Sequence, residues 1–88
     1  MGAKGDLLDY LDRAKTADLG NTVIFSQMVR EGRKLSGLSL QQTADQLSVD
    51  FGAVGLWEHG FGMPCLAKSQ EIVRFFCDQI SNMLAQAS

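Results

Sequence analysis

The sequence is poor in the residues that build metal centres, disulfide frameworks and cofactor sites. Its 88 residues include one proline, one histidine and two cysteines. Cys65 and Cys77 lack the C-x-x-C spacing of a zinc or redox motif, and His59 alone cannot complete a zinc ligand set with them. We therefore expect no metal or cofactor, and two reduced thiols in a cytoplasmic protein.

Long apolar runs are also missing. No window approaches the roughly 20 apolar residues that a membrane-spanning helix needs. The start of the chain, MGAKGDLLDYLDRAK, is too acidic for a secretion signal, and its apolar run is too short. We expect no membrane segment and no secretion signal.

Features of an enzyme are scarce as well. A single histidine leaves little from which to assemble a Ser-His-Asp set. The stretches GAVG and GFG lack the strand-turn-helix context that a phosphate-binding glycine loop requires. We do not expect catalysis.

The net charge bears on nucleic-acid binding. With 8 basic and 10 acidic residues the chain has a net charge of −2, which argues against tight non-specific binding to nucleic acid.

Helical patterns fill the chain, and no segment alternates apolar and polar residues as a strand would. We predict one all-α domain, a compact five-helix bundle. Residues 1–21 form an N-terminal extension helix, residues 22–64 a helix-turn-helix core, and residues 65–88 a C-terminal helix. The predicted helices are Asp6–Lys15, Val23–Ser36, Leu40–Leu47, Phe51–His59 and a last helix from near Cys65 to about Gln86.

Helix-capping residues support these boundaries. Ser39 and Gln42 fit the capping box of the third helix. The remaining predicted caps are Asp6, Asn21 or Thr22, and Asp50 at helix starts, and Gly37 and Gly60 at helix ends.

Two short helices joined by a tight turn, Ser39–Leu47 and Asp50–His59, make a helix-turn-helix. The surrounding segment, MVREGRKLSGLSLQQTADQLSVDFGAVGLWEHGFGMP, resembles the Cro/cI-type (XRE-type) DNA-binding domain of phage and bacterial repressors. The resemblance extends from near Ile24 to the Phe75–Phe76 region. Its matching positions are Gly37, Leu38, Ser39, Ala44, Leu47, Val49, Val54, Trp57, Glu58, Gly60 and Pro64.

The resemblance implies a transcriptional regulator that binds double-stranded DNA as a dimer. It implies a partly buried salt bridge between Arg33 and Glu58, and it makes Arg30 and Lys34 candidates for phosphate contacts. DNA would meet the start of the third helix and the outer face of the fourth. The residues of that face are Ser39, Leu40, Gln41, Gln42, Phe51, Gly52, Ala53, Gly55 and Leu56.

The fourth helix departs from what a DNA reader needs. None of its five outward positions can form the bidentate hydrogen bonds that distinguish bases, so contact with a thymine methyl is all they offer. No Lys or Arg occurs from Leu35 through Ala67. Two interpretations therefore stay open. The chain is either a DNA binder that reads shape and thymine methyls with weak electrostatics, or a protein-interaction module, antiactivator-like or antirepressor-like, that docks a regulatory protein through Phe51 and Leu56. A third possibility is that Phe51 simply folds back onto the core.

The last helix carries more apolar positions than one core-facing strip needs. One strip can cover the core, which leaves the other for a second chain. We predict a homodimer whose interface is formed by Val73, Phe76, Ile80 and Met83.

Overall fold

Five α-helices make up the regular structure of residues 3–86, the part of the chain that the computed structural model describes. No strand occurs in this range, so the predicted all-α five-helix bundle is confirmed. Ala87 and Ser88, at the end of the predicted 65–88 segment, lie outside the described residues, as do Met1 and Gly2. The helices are α1 (Ala3–Ala14), α2 (Thr22–Ser36), α3 (Leu40–Leu47), α4 (Phe51–Glu58) and α5 (Leu66–Gln86).

The predicted caps explain where α2, α3 and α4 begin. The side chain of Asn21 accepts hydrogen bonds from the backbone N–H groups of Val23 and Ile24, at 2.9 and 3.2 Å. Both hydrogen bonds of the capping box between Ser39 and Gln42 are formed, at 3.0 and 2.9 Å. Satisfying the free N–H groups of a first turn in this way stabilises a helix by about 1 kcal/mol.

Four predicted helix ends differ from the observed ones, and two of these, the end of α1 at Ala14 and the start of α2 at Thr22, differ by one residue without changing a predicted cap. Helix α1 begins at Ala3, so Asp6 lies inside the first turn instead of capping it. A carboxylate there still interacts favourably with the helix dipole. Helix α4 ends at Glu58 with His59 as its C-cap, and Gly60 follows in the left-handed conformation with a φ of 75°.

The core lies where α1 and α2 pack against α5. Phe25, Val29, Phe76 and Ile80 are fully buried there. Helices α3 and α4 pack against each other, and α4 also packs against α2. The pair of helices α3 and α4 is therefore attached to the bundle mainly through the contact between α4 and α2.

Helix α1 contributes to this core although it lies outside the family resemblance. Tyr10 is fully buried, and its hydroxyl donates a hydrogen bond to the backbone carbonyl of Met28 at 2.9 Å. Burial raises the pKa of Tyr10 well above its ordinary value, so the phenol stays neutral. Leu7, one turn earlier, is buried beside it.

The predicted dimer interface on α5 is wrong for three of its four residues. Val73, Phe76 and Ile80 are buried inside their own chain. The physical reason is that α1 and α2 together cover a wide arc of α5, so both apolar strips are used within the monomer. Met83, near the end of α5, is the one member of the set that is exposed.

Among the described helices, none is both long enough and apolar enough to cross a bilayer.

Helix α2 passes close to α1 and α5 at Gly32. A Cβ at this position would lie 2.7 Å from Phe76 Cγ and 2.7 Å from the hydroxyl oxygen of Tyr10. Because those groups are themselves buried, they have little room to move aside. Only a residue without a side chain lets the three helices pack at this distance.

We therefore predict that Gly32→Ala destabilises the protein by about 1–3 kcal/mol through overpacking. The matched control is Gly5→Ala in α1, where an added Cβ meets nothing within 4 Å. That change should stabilise the protein by about 0.5–1 kcal/mol, because alanine favours the helix more than glycine does. Urea unfolding followed by circular dichroism measures both values. Equal effects at the two positions would contradict the packing argument.

Candidate helix-turn-helix surface

The salt bridge between Arg33 and Glu58 joins α2 to α4, as the family resemblance implies. Nε and Nη2 of Arg33 donate to the two carboxylate oxygens of Glu58, the second at 3.0 Å. Nη1 of Arg33 donates to the backbone carbonyl of Leu38 at 3.1 Å. The side chain of Glu58 is only 6% exposed. The hydrogen bonds with Glu58 raise the pKa of Arg33 above that of a free arginine side chain, so the guanidinium stays charged.

The end of α4 is tied to α2 a second time through the backbone. The carbonyl of Glu58 accepts hydrogen bonds from Ser26 Oγ and from Arg30 Nη1, both at 3.0 Å. Trp57 adds an edge-to-face contact with Phe25, with ring centroids 6.0 Å apart. These contacts matter because Gly52 and Gly55 each cost α4 about 1 kcal/mol relative to alanine. Packing on α2, not intrinsic helix propensity, holds this helix in place.

The opposite side of α4 faces solvent. Phe51 and Leu56 are 52% and 53% exposed, and Gly52 is exposed as well. Ala53 and Gly55 are half-buried, while Val54 and Trp57 point into the core. The possibility that Phe51 folds back onto the core is therefore wrong. We call the five residues Phe51, Gly52, Ala53, Gly55 and Leu56 the α4 face.

The polar side chains at the start of α3 are engaged within that helix. Ser39, Gln41 and Gln42 are exposed, and Leu40 is half-buried. Gln42 is held in the capping box, and Nε2 of Gln41 donates to Oδ1 of Asp45 at 2.9 Å. Any base or phosphate contact from these amides would have to replace those intrahelical hydrogen bonds.

The two predicted phosphate-binding residues lie one helical turn apart on α2 but have different surroundings. Arg30 is half-buried and bonded to the end of α4. Lys34 is exposed and lines a small groove of about 280 Å³ between α1 and α2, together with Asp6, Asp9, Arg13 and Glu31. Arg13 pairs with Asp9 and Glu31 in that groove.

An exposed aromatic residue beside the α4 face was missed from the sequence. Phe61 is 76% exposed, its N–H donates to the carbonyl of Leu56 at 3.0 Å, and its ring stacks on His59 with centroids 6.2 Å apart. The sequence feature that could have indicated its exposure is an aromatic residue between two glycines directly after the fourth helix. Gly60 has a left-handed φ of 75°, so the chain turns directly before the ring.

Residues with metal-binding or reactive side chains do not cluster here. In the part of the chain that the structure describes, no three His, Cys, Asp or Glu side chains are grouped as metal ligands. Nδ1 of His59 lies 2.8 Å from the carbonyl of Gly55, to which it can donate at the end of α4. Both cysteines are free thiols, with Cys65 exposed and Cys77 half-buried.

No protein-family model, curated protein or solved structure matches this chain. The Cro/cI-type resemblance therefore stays a prediction that rests on the chain's own residues.

We predict that Glu58→Gln destabilises the protein by about 2–3 kcal/mol, because it leaves the partly buried charge of Arg33 without its partner. The matched control is Asp9→Asn, which removes one carboxylate from an exposed pair with Arg13. Exposed pairs contribute little, so that change should cost no more than about 0.5 kcal/mol. Thermal and urea unfolding measure both. A Glu58→Gln variant as stable as the control would show that the pair does not hold α4 on α2.

Proposed function

We propose that this chain is a transcriptional regulator of the Cro/cI type that binds double-stranded DNA as a dimer through α3 and α4. One observation carries the proposal. The inner side of α4 is fixed to α2 by Arg33, Ser26 and Arg30, while its outer face is left open to solvent. A rigid helix that projects from a helix-turn-helix is the geometry that enters a major groove.

The chemistry of the α4 face defines how such a protein would read DNA. Apolar side chains at Phe51 and Leu56 suit thymine methyl groups, and they cannot select guanine or adenine by hydrogen bonding. The backbone N–H groups of Leu40 and Gln41, in the first turn of α3, offer a phosphate contact that needs no cation. Binding of this kind favours T-rich duplexes, and it releases few counterions.

The proposed dimer needs a surface other than the buried part of α5. Met83, the exposed member of the predicted set, remains available near the C-terminal end of α5. A dimer that reads one operator must also place its two α4 helices about 34 Å apart.

A second candidate function is favoured by the surface composition. Phe51, Leu56 and Phe61 are all exposed, and residues 35–67 contain no Lys or Arg. Exposed apolar groups in an uncharged or acidic surrounding are typical of protein contact. The alternative proposal is a helix-turn-helix-shaped interaction module that docks a regulatory protein through the α4 face and does not bind DNA.

The DNA proposal predicts that duplexes selected from a random pool bind with a shallow salt dependence. The slope of log affinity against log salt should have a magnitude of about 2 or less, because α3 and α4 supply no cation. Fluorescence anisotropy over a salt series measures it. Failure to select any duplex at low salt would contradict the DNA proposal and favour the alternative.

A pair of matched variants locates the binding surface. Leu56→Glu places a negative charge on the α4 face, and Leu8→Glu places the same charge on α1 at a residue of nearly equal exposure, 52% against 53%. We expect Leu56→Glu to weaken binding of the selected duplex at least tenfold, which is about 1.4 kcal/mol, and Leu8→Glu to leave it unchanged. Equal effects would mean that α4 is not the contact surface. Circular dichroism checks that both variants stay helical.

A further inference from the structure

A second concave surface lies away from α3 and α4. It is an open groove of about 810 Å³ between α5 on one side and the end of α1 with the following connection on the other. Leu11, Ala14 and Ala17 form part of one wall, and Leu66, Val73 and Cys77 form part of the other. No residue of α3 or α4 lines this groove. Its volume falls within the roughly 300–1,000 Å³ typical of small-molecule sites.

Two cations line this groove, which has both apolar and polar walls, and neither makes an ion pair. The side chains of Lys15 and Arg74 make no salt bridge and no hydrogen bond within residues 3–86, whereas Arg13 and Arg33 are both paired with carboxylates. The one acidic residue of the lining, Asp18, has an oxygen that accepts the N–H of Gly20 at 3.1 Å. With Asp18 counted against Lys15 and Arg74, the lining carries a net charge of +1 in a chain whose net charge is −2.

We propose that this groove binds a small anionic amphiphile, a medium-chain fatty acid or a similar carboxylate. The apolar walls would take the alkyl chain, and Lys15 and Arg74 would take the carboxylate. Charge complementarity selects this occupant, because a neutral or cationic amphiphile would gain the same apolar contact without any charged hydrogen bond. The site is independent of the function proposed for α4, and its test uses no DNA.

Cys77 provides a reporter inside the groove. It is half-buried, and burial raises the pKa of its thiol, so that it alkylates slowly but measurably. Cys65 is exposed and does not line the groove, so it serves as an internal control in the same molecule.

The probe is dodecanoate below its micelle concentration, compared with dodecyltrimethylammonium and dodecanol. We expect dodecanoate to slow alkylation of Cys77 by iodoacetamide severalfold and to leave Cys65 unaffected, as measured by peptide mass spectrometry. Calorimetry should show saturable binding of dodecanoate and weaker binding of the other two. Equal binding of all three amphiphiles would overturn the proposal, and so would no binding of dodecanoate.

Charge variants test the role of the two cations. The double variant K15Q/R74Q should bind dodecanoate about tenfold more weakly, because two charge-assisted contacts are lost. The matched control K4Q/K68Q removes the same charge from positions that do not line the groove, and its affinity should not change. Ala17→Phe, which fills the groove without changing charge, should abolish binding. Unchanged affinity in K15Q/R74Q would overturn the proposal.

A second copy of this chain is the competing occupant. It would protect Cys77 as protein concentration rises, without any added amphiphile, and sedimentation would show a dimer over the same range. That result would overturn the amphiphile proposal. Protection that requires dodecanoate, at a constant sedimentation coefficient, supports it.

Discussion

The orientation of α4, and with it the exposure of its outer side, depends on the ion pair and hydrogen bonds that Glu58 makes with α2. Its carboxylate binds Arg33 and its carbonyl binds Ser26 and Arg30, so one residue carries most of the polar attachment of α4 to α2. Helix α4 has two glycines and is only eight residues long, which is too short and too weak to persist alone. Its orientation is therefore set by α2, and the outward direction of Phe51 and Leu56 follows from that attachment.

Local signals were sufficient to predict most of the boundaries of α2, α3 and α4. Asn21, Ser39 and Asp50 cap their helices, and Gly37 ends α2 in the left-handed conformation, because each of these roles depends on chemistry within one turn. The pairing of Arg33 with Glu58 spans 25 residues, and it came from the family resemblance, not from spacing. Helix caps and short-range turns can thus be predicted from the sequence, whereas long-range packing cannot.

Long-range packing determines which helix covers the apolar positions of α5. An apolar strip on α5 can be identified by its spacing, but spacing does not say which helix covers it. Val73, Phe76 and Ile80 match an interface pattern, but α1 and α2 cover them within the monomer. The docking of α1 also places Lys34 in a groove with Asp6 and with the ion pairs that Arg13 makes to Asp9 and Glu31. The position of α1 is the long-range contact that the spacing of apolar residues does not predict.

Tyr10 and Gly32 show how far the folding unit extends. The phenol of Tyr10 binds a carbonyl of α2, and the bare backbone of Gly32 makes room for it beside Phe76. The cooperative domain is therefore wider than the segment that resembles the Cro/cI type. A fragment trimmed to that segment would lose the buried side chains of Tyr10 and Ile80 and open a water-accessible cleft over Phe76, so dissecting this protein into shorter pieces removes part of its own interior.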